Sequence, residues 1–127
     1  MLTEDSAQDT VPFASASQLV EIANEYGTPL YVHDEDSYRR FGKEALAAPN
    51  AFGLSVRYAM KANPHQGILR IFDEMGIGID ASSIHEVRRA IAAGIAPDQI
   101  LLSSQEMPTT EELREIVESG VVYNASS

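Results

Sequence analysis

Four short apolar segments alternate with amphipathic helical patterns, and this alternation constrains the fold more than any other feature of the chain. The three helical patterns between them end at Gly76, Gly94 and Gly120, and glycine is the residue that most often closes an α-helix. A strand–helix unit repeated at roughly 20 residues is typical of right-handed parallel β–α–β folds. We therefore predict four parallel strands, at residues 54–60, 77–80, 100–103 and 121–124.

The helical patterns also predict where each helix starts and which side faces the core. Asn63 and Pro64 suit the cap and the first position of the first helix, because proline has no amide hydrogen to leave unpaired there. Thr109 and Glu112 have the spacing of a capping box at the start of the last helix. The residues expected to face the core are Ile68, Leu69, Phe72 and Met75 in the first helix, Ile84, Val87 and Ile91 in the second, and Leu113, Ile116 and Val117 in the third.

The chain before the first of these strands has a different character. We expect residues 1–14 to form a loose polar tail, followed by a helix that Ser17 caps and Gly27 ends. Residues 30–33 are a strand candidate, because leucine, tyrosine and valine suit a half-buried pleated surface. A second helix is expected to begin at Asp34 or Asp36 and to end near residue 47.

The composition limits the partners and the location of the protein. The chain of 127 residues has a formal net charge of -10 at pH 7, which argues against a nucleic-acid surface or an anionic membrane as partner. It has no cysteine, so a disulfide framework and a thiolate metal site are excluded. No apolar run approaches the roughly 20 residues of a membrane span, and the first ten residues lack an apolar signal region. We expect a cytoplasmic protein.

Two architectures accommodate parallel β–α units, an open doubly wound sheet and a (β/α)8 barrel. A barrel of this kind needs about 250 residues, so this chain could supply half of one. The sequence also stops where a helix after the fourth strand should begin, which would leave a parallel strand uncovered. We interpret the sequence as a portion of a longer protein.

Both architectures place functional residues at the carboxyl ends of their strands. The polar residues predicted at that edge are Lys61, Asp80, Ser103 with Ser104, and Asn124. Lys61 is the least expected of them, because lysine neither favours turns nor caps helices. Its amine could bond covalently to an aldehyde cofactor, clamp a phosphate, or remain a solvated cation. A glycine-rich phosphate loop is missing around it, since the nearest glycine pair precedes the second strand.

Three segments, in order along the chain, resemble one enzyme family. Tyr58-Ala59-Met60-Lys61-Ala62-Asn63 is similar to the lysine segment of the fold-type III pyridoxal-phosphate decarboxylases, the family of diaminopimelate and ornithine decarboxylases. Gly78-Ile79-Asp80-Ala81-Ser82-Ser83-Ile84-His85-Glu86 resembles the family's G-x-D-x-x-S-x-x-E segment. Tyr26-Gly27-Thr28-Pro29-Leu30-Tyr31-Val32 resembles the opening of the diaminopimelate decarboxylases. The resemblance implies that Lys61 carries pyridoxal 5'-phosphate, with Asp80 and Glu86 beside it.

The same resemblance implies a fold and an organisation for the chain. The fold class would be α/β, with residues 37–127 forming the first four βα units of a pyridoxal-phosphate-binding (β/α)8 barrel of the alanine racemase type. Residues 1–36 would join a β-rich domain built mostly from the carboxyl-terminal part of family members. The full-length enzyme would be a homodimer. Its phosphate site, the acid on the pyridine nitrogen and the partner-subunit residues would lie beyond residue 127, so we expect these 127 residues alone to be inactive and poorly stable.

The implied reaction is the decarboxylation of an amino acid. The opening segment favours meso-diaminopimelate, converted to L-lysine, over ornithine or arginine. Two alternatives are a racemase or cofactor-carrier protein of the same fold, and a non-catalytic half-barrel in which Lys61 is only a cation at the edge. Glu86 has an explanation without a cofactor, because Ser83 and Glu86 have the spacing of a capping box. The three histidines share no ligand spacing, and we predict no metal site.

Overall fold

A computed structural model describes residues 11–125, which belong to two compact units. The first unit ends at Asp34 and the second begins at Glu35. The predicted strand–helix alternation lies within the second unit. The assignment of residues 1–36 to a separate β-rich domain stays a prediction.

The first unit contains one described helix, α1 (Ala16–Tyr26). Ser15 caps this helix through a capping box, in which the Ser15 amide donates to Gln18 Oε1 at 2.8 Å and the Gln18 amide donates to Ser15 Oγ at 3.3 Å. The prediction of Ser17 as the cap is wrong, because Gln18 stands three residues after Ser15 and can complete a box only there. Gly27 ends the helix as predicted, and its amide donates to the Ala23 carbonyl at 2.9 Å.

The strand predicted at residues 30–33 does not form, although Leu30 and its neighbours have strand-like side chains. A strand is defined by hydrogen bonds to a neighbouring strand. Within the described residues, all the strands of the sheet belong to the second unit. Tyr31 is 94% exposed, so this segment also lacks the burial that strand propensity reflects. The predicted tail lies outside the described residues up to residue 10.

The second unit is a parallel sheet with helices between its strands, as the alternation predicts. Its four strands lie side by side in their order along the chain, and each neighbouring pair is parallel. The first, third and fourth strands are shorter than the apolar segments that predict them, whereas the second has the predicted length of four residues and lies one residue further along the chain. The elements are α2 (Glu35–Leu46), β1 (Arg57–Ala59), α3 (Gln66–Glu74), β2 (Gly78–Ala81), α4 (Ile84–Ala92), a 3-10 turn (Pro97–Gln99), β3 (Ile100–Leu102), α5 (Thr110–Ser119) and β4 (Val122–Tyr123).

The two faces of the sheet differ in their covering. Residues paired across parallel strands point to the same face, so Tyr58, Ile79 and Ile100 lie in one row. This row packs with buried side chains of α3, α4 and α5, and Ile79 and Ile100 are fully buried. The opposite face carries the row Ala59, Asp80, Leu101 and Val122. Val122 is 44% exposed, so this face is open where the other is packed.

The helices bury most of the residues predicted to face the core. The confirmed residues are Ile68, Leu69, Phe72, Ile84, Val87 and Ile116, and Met75 packs partly buried beside them. Two expectations are wrong, since Ile91 is 39% exposed and Val117 is 66% exposed. In α4 the buried stripe advances by three residues at each step and ends on Ala90, which turns Ile91 to the edge of the interface. The predicted closing glycines are confirmed by φ values of 76°, 97° and 85° at residues 76, 94 and 120.

Helix α3 begins two residues later than Asn63 and Pro64 predict. His65 caps it, because His65 Nδ1 accepts a hydrogen bond from the Gly67 amide at 3.2 Å. Asn63 instead forms a turn before the cap, in which its Oδ1 accepts from the His65 amide at 3.0 Å. The prediction of Asn63 as the cap is therefore wrong, and the loop between β1 and α3 is longer than expected.

Helix α5 starts with the predicted capping box. The Glu112 amide donates to Thr109 Oγ1 at 3.2 Å, and the Thr109 amide donates to Glu112 Oε2 at 2.8 Å. We expect Thr109→Ala to lower the free energy of unfolding by about 1 kcal/mol, since it removes the side-chain acceptor at the helix start. Urea denaturation measures this change. The control is Thr110→Ala, one residue further into the helix, and equal losses in the two variants would contradict the assignment of the cap.

Candidate active site

Lys61 lies in the turn that directly follows β1, at the carboxyl edge of the sheet. The Met60 amide donates to the Asp80 carbonyl at 3.0 Å, which extends the pairing with β2 by one residue. The Ala62 amide donates to the Ala59 carbonyl at 3.1 Å and closes a tight turn around Met60 and Lys61. Met60 is fully buried and anchors the turn, whereas Lys61 is exposed. The fold therefore fixes the backbone under a lysine whose side chain reaches away from the core.

Asp80 lies on the neighbouring strand, one residue from the end of β2. It pairs in register with Ala59 and Leu101, on the face of the sheet opposite the one that packs with α3, α4 and α5. Its Oδ1 atom is buried and has no hydrogen-bond partner within the described residues. A buried acceptor without a partner costs about 1–3 kcal/mol, so such atoms are rare in folded proteins. This unpaired oxygen is the strongest sign of a ligand-binding role on the open face.

The structure brings the other predicted edge residues to the same side of the sheet. The Ser103 amide donates to the Ala81 carbonyl and the Asn124 amide donates to the Leu102 carbonyl, each at 2.9 Å. Lys61, Ser103 and Asn124 thus each follow the end of a strand, whereas Asp80 lies within one. Because all four strands are parallel, their carboxyl ends form one edge, as predicted.

Glu86 has a structural role in the connection between β2 and α4. Its amide donates to Ser83 Oγ at 3.3 Å, which is the predicted helix cap. Its Oε2 accepts from the Ser82 amide at 2.6 Å, one residue earlier than a capping box requires. The carboxylate therefore holds the backbone that follows Asp80. Contact of Glu86 with a cofactor stays a prediction.

Tyr58 is a residue of this site that sequence reasoning missed. Its hydroxyl donates to the Asn63 carbonyl at 3.2 Å, across the turn that carries Lys61. Burial, followed by the nearby Tyr38, raises the pKa of the Tyr58 phenol, while the Asn63 hydrogen bond lowers it. The hydroxyl thus keeps the hydrogen that it donates at neutral pH. No local pattern signals this contact, because a backbone carbonyl accepts the bond.

A cleft of about 270 Å³ opens between the loops that follow β2 and β3. Its polar lining includes Ser82, His85, Ser104 and Glu112, but neither Lys61 nor Asp80. The cleft is therefore separate from the Lys61–Asp80 pair. Within residues 11–125, no three histidine, aspartate or glutamate side chains are grouped to hold a metal ion. In the same part of the chain, no helix combines the length and the apolar character that crossing a membrane demands.

The chemistry of the site fits a cofactor that has an aldehyde and hydrogen-bond donors. An exposed lysine amine on a fixed turn can bond to an aldehyde carbon. The buried Asp80 Oδ1 is an acceptor that a donor group of a ligand would satisfy. The fold is that of an α/β protein with a lysine and a buried carboxylate oxygen near one edge of its sheet, and their binding of an aldehyde cofactor stays a prediction.

Comparison with known proteins identifies the family. A family model described as "Pyridoxal-dependent decarboxylase, pyridoxal binding domain" matches residues 38–126. The diaminopimelate decarboxylase of Methanothermobacter thermautotrophicus is 42% identical over 112 residues, which cover 85% of this chain and 26% of that protein. The diaminopimelate decarboxylase of Zymomonas mobilis is 43% identical over 107 residues, which cover 81% of this chain and 25% of that protein. This chain belongs to the pyridoxal-dependent decarboxylase family.

Solved structures of family members share the fold. Diaminopimelate decarboxylase from Helicobacter pylori, complexed with L-lysine, aligns with a TM-score of 0.72 and 27% identity, over 86% of this chain and 28% of that one. Lysine/ornithine decarboxylase from Vibrio vulnificus, complexed with putrescine, aligns with a TM-score of 0.71 and 26% identity, over 86% of this chain and 30% of that one. The prediction of the alanine racemase-like barrel fold is therefore confirmed.

The comparisons also bear on cofactor and reaction class. The prediction of pyridoxal phosphate is confirmed for the family, whose matching domain is the pyridoxal-binding one. The matched family is one of decarboxylases, which favours this class over a racemase or a carrier protein. The chain spans about a quarter of the length of the curated relatives it matches.

Proposed function

We propose that this chain is the cofactor-holding part of a diaminopimelate decarboxylase, which removes CO2 from meso-diaminopimelate and produces L-lysine. The observation that carries the proposal is the placement of Lys61 in the turn after β1, one strand from a buried and unpartnered Asp80 oxygen. The substrate is supported by sequence relatives named diaminopimelate decarboxylase at 42% and 43% identity. A homodimeric, cytoplasmic full-length enzyme is part of the same proposal.

Each of the site residues has a stated task in this function. Pyridoxal phosphate, when bound, supplies an electron sink for the carbanion left by CO2. Lys61 would hold the cofactor through its ε-amine, and its Nζ would be the atom that delivers a proton to the product carbon. Asp80 Oδ1, which has no partner among the described residues, would accept a hydrogen bond from the cofactor, and Glu86 keeps the backbone after β2 in place.

A chimeric enzyme tests the whole function. These 127 residues replace the corresponding quarter of the Methanothermobacter thermautotrophicus enzyme, and release of CO2 and L-lysine from meso-diaminopimelate is measured. We expect turnover in the chimera and its loss on Lys61→Gln, with Lys43→Gln as the matched control. A chimera that binds the cofactor but leaves meso-diaminopimelate intact would refute the proposal. L-Ornithine, supplied in parallel, tests the runner-up substrate.

Substitution of Asp80 is expected to change stability and cofactor binding in opposite directions. Without cofactor, Asp80→Ala should raise the free energy of unfolding by about 1 kcal/mol, because it removes a buried oxygen that has no partner. With pyridoxal phosphate, the same change should weaken binding about 10- to 100-fold, since a charged hydrogen bond is lost. Urea denaturation and visible absorbance titration measure the two effects.

The matched control for Asp80 is Asp98→Ala. Asp98 is exposed and lies in the 3-10 turn before β3, at the amino end of the sheet. We expect this variant to leave both quantities unchanged. If Asp80→Ala destabilised the chain and left cofactor binding intact, Asp80 would be a structural residue and its assignment to the site would be wrong.

A further inference from the structure

The Tyr58 side chain connects β1 to the loop that carries Lys61. Tyr58 lies in the middle of β1, and its hydroxyl donates to the Asn63 carbonyl at 3.2 Å. The bond therefore joins a residue before Lys61 in the chain to a residue after it. On its far side, Asn63 Oδ1 accepts from the His65 amide at 3.0 Å, which fixes the chain up to the start of α3. We refer to the Tyr58–Asn63 hydrogen bond as the strap.

The ring of Tyr58 has little freedom to move the strap. Its centroid lies 4.4 Å from that of Phe72 in α3, with the ring planes 31° apart. Phe72 is buried and meets Tyr38 of α2 edge to face, at 6.0 Å and 89°. Aromatic pairs at such distances stabilise a protein by more than the burial of their surface alone would. The position of the hydroxyl is thus set by the packing of α2 and α3 on β1.

Within residues 11–125, the strap accompanies two backbone hydrogen bonds that hold the Lys61 turn, and Tyr58 donates to the strap from its side chain. The other two run from the Met60 amide to Asp80 and from the Ala62 amide to Ala59. Those two are made by backbone alone and fix the near side of the turn. On the far side, the Tyr58 phenol and Asn63 Oδ1 supply the side-chain hydrogen bonds, and the phenol is the group that links the loop back to β1.

We propose that Tyr58 is a positioning residue, which holds the Lys61 turn through the strap so that the lysine amine meets the cofactor aldehyde in the reactive orientation. This inference rests on the proposed function of Lys61. Restriction of a reacting group to a productive geometry accelerates bond formation, because orientation is settled before the encounter. Loss of the strap should therefore slow covalent capture at Lys61 and loosen the loop, while the core stays folded.

The variant Tyr58→Phe tests the strap, since it removes one oxygen and keeps the ring that packs on Phe72. Timed borohydride reduction of the chain mixed with pyridoxal 5'-phosphate, followed by peptide mass mapping, gives the ratio of labelling at Lys61 to labelling at Lys43. We expect this ratio of initial rates to fall about three- to tenfold, the range that loss of one hydrogen bond allows. Lys43, exposed in the last turn of α2, corrects for general amine reactivity.

Hydrogen exchange gives a second readout that needs no cofactor. In Tyr58→Phe, the amides of Ala62 and His65 should exchange about three- to tenfold faster, whereas the slow amides of β2 and β3 should keep their rates. The matched control is Tyr123→Phe in β4, because the Tyr123 hydroxyl forms no hydrogen bond within residues 11–125 and its ring packs partly buried on the core. We expect that control to match the unchanged chain in both measurements.

The outcomes separate this inference from the function on which it rests. Lower labelling at Lys61 and faster exchange at Ala62 and His65, both confined to Tyr58→Phe, would support the positioning role. Equal labelling ratios in Tyr58→Phe and the unchanged chain would overturn the positioning role alone. Absence of Lys61 labelling in the unchanged chain would overturn the proposed function and the positioning role together. Faster exchange throughout the sheet in Tyr58→Phe would mark Tyr58 as a general stability residue and would also overturn the role.

Discussion

Replacement of Lys61 by glutamine is expected to abolish covalent capture of pyridoxal 5'-phosphate at the edge of the sheet. Glutamine keeps a long polar side chain but has no amine that can bond to an aldehyde. The sequence contains only two lysines, Lys43 and Lys61, and only Lys61 lies at the carboxyl edge. Borohydride reduction followed by mass measurement of the intact chain gives the captured amount. We expect Lys61→Gln to fall to the background set by Lys43 and the terminal amine.

Lys43→Gln is the control for this experiment, because Lys43 is exposed in α2 and carries the same amine. It should retain the capture of the unchanged chain and lose only part of the background. The visible absorbance band of the lysine-bound cofactor should follow the same pattern. Equal capture in Lys61→Gln and Lys43→Gln would show that the amine at the sheet edge has no special reactivity, and the site would then be wrongly assigned.

Truncation of Ile79 to alanine is expected to lower the free energy of unfolding strongly. Ile79 is fully buried in β2 and packs in one cluster with side chains of α3 and α4. Removal of its methylene and methyl groups leaves a cavity that the packed neighbours cannot fill. We expect the free energy of unfolding to fall by about 2–5 kcal/mol, a large share of the total stability of a typical domain. The urea midpoint should fall at an unchanged m-value.

Ile91→Ala is the matched control, because it makes the same chemical change at a residue that is 39% exposed. We expect it to cost about 1 kcal/mol or less, as is usual for partly exposed side chains. The two variants also test which residues of α4 face the core. The sequence pattern predicts Ile91 there, whereas the structure buries Ala90. Equal losses in the two variants would contradict the structure at this interface.

Local sequence signals predict the elements of the second unit because those signals act within one turn or one strand. The capping box at Thr109 and Glu112 is such a signal, since both of its hydrogen bonds span three residues. The alternation of strands and helices predicts the parallel sheet, because two parallel strands must be joined by a long crossover connection, usually a helix. The alternation therefore predicts the position of Lys61 at the edge of the sheet.

Features that depend on partners in other elements, or on competition between neighbouring hydrogen-bond acceptors, could not be predicted. The strand expected at residues 30–33 needs a neighbouring strand, and side-chain propensity cannot supply one. The cap of α3 passes from Asn63 to His65, because two acceptors compete for nearby amides and the loop geometry decides between them. The Tyr58 strap depends on Phe72 in another element, and the unpaired Asp80 oxygen depends on burial, which no local pattern encodes.

The most direct test of the site is to map where the unchanged chain holds its cofactor. The chain is mixed with pyridoxal 5'-phosphate, reduced with borohydride and digested, and the labelled peptides are identified by mass spectrometry. We expect the label on the peptide that contains Lys61, well above that on the peptide that contains Lys43. A label confined to Lys43 or to the terminal amine, or one divided equally between the two lysines, would contradict the assignment of Lys61 as the cofactor lysine.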